Sequence, residues 1–104
     1  QWHSDTFTLP EGAVRLATND AAVNQAFRIG RAAYGTQFHF EASCAVVEDW
    51  VEEFSDLIAR NNPGWLEQRA ALAEENGPAA DATGLALARA WVATIAVAET
   101  RRVA

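Results

Sequence analysis

One cluster in the chain has residue types and spacing suited to catalysis, Gln37-Phe38-His39-Phe40-Glu41, which sits between a β-like segment and a capped helix. In an extended backbone alternate residues share a face, so a bend at the end of the strand would bring His39 and Glu41 together. A carboxylate that orients an imidazole raises its basicity and fixes its tautomer. Such a pair is the base and orienter of nucleophilic catalysis, in which histidine takes the proton of a cysteine or serine. The only cysteine, Cys44, lies five residues after His39 in the first turn of the next helix, where a thiol pKa can be lowered, but nothing fixes its geometry relative to the ring. A rival reading joins His3, Asp5, His39 and Glu41 into a zinc or iron site, since imidazoles and carboxylates suit both metals. The preferred reading expects no metal and no cofactor.

The elements that must position this cluster change character along the chain. Up to Glu41, β-branched and aromatic residues alternate with turn signals, and from residue 42 onward alanine-rich helical periodicity takes over. Leu9-Pro10-Glu11-Gly12 reads as a turn and Ala13 to Thr18 as a strand, with a polar turn at Asn19-Asp20. Runs from Asn24 to Ile29 and from Ala32 to Phe38 flank the two-residue loop Gly30-Arg31 and predict an antiparallel hairpin. Gln25, Phe27 and Ile29 share one face of the first run, and Tyr34, Thr36 and Phe38 share one face of the second, so His39 and Glu41 are expected on the opposite face.

Ser43 reads as the N-cap of a helix whose apolar positions are Val46, Val47, Trp50, Phe54, Leu57 and Ile58. An acidic first turn is expected to suit its dipole, and Asn61-Asn62-Pro63-Gly64 to end it. A second helix is expected from Trp65 to Glu75 and a break at Asn76-Gly77-Pro78. A final helix then carries Leu85, Ala88, Trp91, Val92 and Ile95, and Arg101-Arg102 complement its dipole. Trp50, Trp65 and Trp91 are expected to pack against these helices.

At 104 residues the chain is one small domain or part of a larger one. It contains no methionine and starts at Gln1 without a signal-like segment, so a fragment or cleaved product is expected. Half of the residues are hydrophobic and 21% are charged, which describes an ordered protein rather than a disordered tail. The net charge is −6 and the eight basic residues are all arginine, scattered singly apart from the final pair, so nucleic acid and anionic membranes are not expected partners. No uncharged apolar stretch reaches the roughly 18 residues of a membrane span. A lone cysteine fits a reducing cytoplasm.

Tyr34-Gly35-Thr36-Gln37-Phe38-His39-Phe40-Glu41 resembles the aromatic-Gly-x-Gln-Phe-His-Pro-Glu signature of class I glutamine amidotransferase domains. Trp2-His3-Ser4-Asp5-Thr6-Phe7, followed by Leu9-Pro10 and Leu16-Ala17, resembles the His-x-Asp-x-Phe-x-Leu-Pro segment of the GMP-synthase-like branch. Together the two motifs cover roughly residues 1 to 55. Trp50 and the long helical C-terminus are similar to the stand-alone members, among them γ-glutamyl peptidases.

The resemblance implies an α/β fold, with this chain supplying the C-terminal part of a flavodoxin-like three-layer α/β/α sandwich: strands over 1–41 and about three helices over 42–104. It implies that His39 is the general base, Glu41 its orienter, and His3, Ser4 and Asp5 lie near the pocket for glutamine or a γ-glutamyl small molecule. The family's nucleophile sits on a Gly-x-Cys-x-Gly elbow well before the segment where this chain begins, so the missing N-terminal half is an expected partner and the isolated chain is expected to be inactive. Phe40 departs from the signature's proline. Exposed strand edges lead to the expectation of a homo-oligomer. The alternative is a non-catalytic acidic helical module on a degenerate amidotransferase fold, presenting Trp65, Leu85, Trp91 and Ile95 to a partner.

Overall fold

Pro10 cannot continue a ladder and Gly12 adopts a left-handed φ of 77°, so the chain turns there, with the Ala13 amide donating to the Pro10 carbonyl at 3.1 Å. The turn is one residue later than the sequence suggests, because its third position requires the positive φ that Gly12 supplies. The computed structural model describes residues 2–103, and their side chains as far as residue 95. Its elements are β1 (Ala13–Ala17), β2 (Ala26–Ile29), β3 (Ala33–Thr36), α1 (Cys44–Glu53), α2 (Ser55–Asn61) and α3 (Trp65–Val103). The fold is mixed α/β. Two compact units are defined, one formed by Gln1–His39 with Ala93–Ala104 and the other by Phe40–Val92.

In the first unit the strands form an antiparallel sheet in the order β1-β2-β3. Asn19 organises the β1–β2 connection: its Oδ1 accepts from the amides of Ala21 and Ala22 at 3.1 and 2.9 Å and from Gln25 Nε2 at 3.1 Å. β2 starts two residues later than its apolar pattern, because Asn24 turns its side chain to the Phe7 carbonyl and Arg15 while the register shifts between Arg15 and Ala17. Ile29 pairs with Ala33, so the hairpin loop has three residues, Gly30 to Ala32, rather than two. Composition could not separate them, since Ala32 and Ala33 are equivalent as strand starts.

Phe27 pairs with Gly35 across β2 and β3, and its ring lies on the glycine so closely that a Cβ at position 35 would overlap Phe27 Cε1 and Cζ. Phe7 meets the same ring edge-on, with centroids 5.4 Å apart. Gln25 and Ala26 are buried at the start of β2. The opposite face carries Val14 and Tyr34, which with Leu16 at the register shift are each about half exposed (50%, 47% and 52%).

In the second unit Ser43 caps α1, its hydroxyl accepting from the Val46 amide at 3.4 Å. The first turn, Cys44 to Val47, contains no acid, contrary to expectation, since the acidic residues begin at Glu48. The charge at this helix end comes instead from α3, where Asp81 Oδ1 accepts from the Cys44 amide at 3.1 Å. The expected single helix to Asn61 is interrupted at Phe54, whose amide still bonds to the Trp50 carbonyl but whose φ of −110° and ψ of 20° leave the helical range. Val51 is buried, whereas Phe54 and Leu57 are substantially exposed.

The expected break at Asn76-Gly77-Pro78 does not occur, and α3 runs without interruption from Trp65 to Val103. A proline inside a helix removes one hydrogen bond and costs about 3 kcal/mol. Alanines on both sides favour propagation, and Asn76 folds its amide onto the Leu72 carbonyl at 3.2 Å. Gly77 and Gly84, both buried, serve close packing rather than termination. Trp50 and Trp65 are partly buried, while Trp91 remains 49% exposed. The side chains of Arg101 and Arg102 lie outside the described residues.

Candidate functional site

β3 ends at Thr36, but the Gln37 amide still donates to the Gln25 carbonyl at 2.9 Å, which holds the chain to the sheet up to two residues before His39. His39 follows in irregular backbone with its side chain exposed. Phe40 and Glu41 form a turn that leads into the Ser43 cap, and Glu41 is also exposed. The alternation of faces expected to carry through His39 and Glu41 therefore stops at the strand end. The two residues belong to different compact units, His39 to the first and Glu41 to the second.

His3 Nδ1 lies 2.8 Å from the Asp5 main-chain carbonyl, and since a carbonyl only accepts, Nδ1 carries the proton. In the neutral ring this leaves Nε2 as an acceptor. That atom is shielded from solvent and has no hydrogen-bond partner, a state that carries a desolvation penalty. Ser4 and Asp5 are exposed. The His3-Ser4-Asp5 segment is thus tied through main chain, with the Asp5 carboxylate left out of the bond to His3.

Cys44, the one thiol that its helix position could have activated, is shifted the other way. A hydrogen bond with the Asp81 side chain raises its pKa, with desolvation and the Asp81 charge adding in the same direction. A raised thiol pKa lowers the thiolate fraction, which is the wrong direction for a nucleophile. Among the described residues no group of three or more His, Cys, Asp or Glu side chains is placed to hold a metal ion.

The residues missed in the sequence are those that fix backbone. Phe27 and Gly35 brace the strand leading to His39, and Gly77, Asp81 and Gly84 meet the segment containing Glu41. Their signal was the spacing of Gly77, Asp81 and Gly84, which puts all three on one helical face once the helix is allowed to pass Pro78. No helix is long and apolar enough to cross a membrane among the described residues. Compared with known proteins, the chain matches no family model, no curated protein and no solved structure.

Proposed function

We propose that this chain is the C-terminal part of a class I glutamine amidotransferase domain, a cytoplasmic flavodoxin-like sandwich that hydrolyses the γ-amide of glutamine or a γ-glutamyl bond. The observation that carries the reading is the ordered motif pair on this topology, with His39 just beyond β3 and Glu41 just before a capped helix. In this scheme His39 takes the proton of a cysteine supplied from upstream, and the thiolate attacks the γ-carbonyl. The imidazolium then protonates the departing ammonia, and water, deprotonated by His39, releases glutamate from the thioester. In this scheme Glu41 is the orienting carboxylate.

The half-exposed Val14 and Tyr34 on one sheet face, with Leu16 beside them in sequence, support the idea that another part of the same domain covers them. The buried hydrophobic core of the described residues, only Ala26 and Val51, points the same way. His3 Nε2, shielded and without a partner, fits a place near the bound amino acid. The alternative, a non-catalytic helical module, draws on the exposed Leu85, Trp91 and Ile95 of α3, Trp65 being partly buried.

The coding sequence upstream of Gln1 separates the two readings. A cysteine between glycines at the end of an apolar strand supports the amidotransferase, and its absence favours the module. With the upstream part present, glutamine hydrolysis is expected to depend on His39, and unchanged turnover in His39→Ala would overturn the proposal.

A further inference from the structure

We propose that α3 positions the orienting carboxylate: Gly77, Asp81 and Gly84 form a clamp that fixes both ends of the segment Phe40 to Cys44, which contains Glu41. The inference rests on the amidotransferase reading for its catalytic meaning, but the clamp itself is a matter of geometry. The three residues are spaced four and three apart, so they line one face of α3. Each meets the segment. A Cβ at Gly77 would lie 2.7 Å from Cys44 Sγ, and a Cβ at Gly84 would overlap the Phe40 carbonyl oxygen. Between them Asp81 accepts from the Cys44 amide at 3.1 Å.

Phe40 gives this clamp its purpose. The signature that the segment resembles has proline at that position, and proline fixes φ between the two members of the dyad. Phenylalanine leaves that φ free, so a restraint on the Phe40 backbone from outside the segment takes over part of the proline's role. α3 supplies it from outside, holding the Phe40 carbonyl through close approach at Gly84 and the Cys44 amide through Asp81. The Asp81 carboxylate beside the Cys44 thiol opposes thiolate formation, as part of the same contact. Asp81 and Gly84 are thus positioning residues, and Cys44 is a structural thiol.

The activity test uses the protein with its upstream part, comparing Gly84→Ala, Asp81→Ala and Asp81→Asn. Gly84→Ala and Asp81→Ala are expected to lower kcat by up to ~10²-fold, the effect of a displacement of about 1 Å in a catalytic group, with KM nearly unchanged. Asp81→Asn retains an oxygen that accepts from the Cys44 amide and should recover most of kcat. Wild-type kcat in both folded variants, or no recovery in Asp81→Asn, would overturn the positioning role.

The clamp is also tested without catalysis, by alkylating Cys44 of this chain with iodoacetamide. Asp81→Ala and Asp81→Asn are expected to react several-fold faster at mildly alkaline pH, since both remove the carboxylate that opposes thiolate formation. An unchanged rate in both variants would remove Asp81 from its contact with Cys44 and so overturn the clamp at that end, whereas loss of the amidotransferase reading would appear separately as His39-independent turnover.

Discussion

In the strand unit the groups that fix the backbone are close in sequence: Asn19 bonds Ala21, Ala22 and Gln25, and Phe27 lies on Gly35 across a three-residue loop. In the helical unit the first helix is capped by its neighbour Ser43 and also by Asp81, 37 residues away. Local devices make a hairpin that pattern can announce. A distant device makes a helix start whose second partner no local pattern announces. Damage should therefore stay confined near Asn19, whereas a change on one face of α3 reaches the turn that holds Glu41.

If the proposed amidotransferase reading holds, the largest effect is expected at His39. With the upstream part present, His39→Ala should lower kcat/KM by ~10³-fold or more, as for loss of a general base, in a glutaminase assay that follows ammonia. Gly35→Ala comes next, because overpacking costs about 1–3 kcal/mol and the Phe27 ring has to leave its seat. Urea denaturation of the chain reads this directly. If Gly35→Ala is neutral, the aromatic brace is not what holds β3.

Smaller effects sharpen the contrast between local and distant restraint. Ser43→Ala should cost about 1 kcal/mol as the loss of one N-cap, measurable by the same denaturation. The Cys44 thiol has a raised folded-state pKa, so its contribution to stability is complete below the ordinary thiol value and is lost as pH rises through the folded-state value. A denaturation series across alkaline pH should therefore show a decline that Cys44→Ala removes. Arg69→Ala, which breaks the 3.3 Å pair with Glu48, should change stability by less than about 0.5 kcal/mol, because both partners are exposed and screened.

The strand unit was largely legible in the sequence. Gly12, Asn19 and Gly30 announced their turns, and the antiparallel hairpin from Asn24 to Phe38 formed with its edges shortened. The helical unit misled in two places, for different reasons. Phe54 belongs to the apolar stripe of a continuous helix, and no local signal marks it as an interruption. Gly77-Pro78 carries the strongest local stop signal in the chain, yet packing of a buried glycine against Cys44 and the alanines around it override that signal. The site divides similarly. His39 and Glu41 are candidates that the motif proposes, whereas the contacts of Asp81 and Gly84 become visible only once α3 is one helix.

The seat of Phe27 on Gly35 also constrains how this sequence can drift. While residue 27 keeps an aromatic ring, position 35 accepts no side chain, and enlarging it first passes through a damaged protein. Shortening residue 27 first opens the space, after which alanine at 35 becomes acceptable. The two positions are therefore epistatic, with Phe27→Leu and Gly35→Ala together less harmful than the sum of their separate effects. Among descendants of this chain, glycine at 35 and an aromatic at 27 should be kept or lost as a pair.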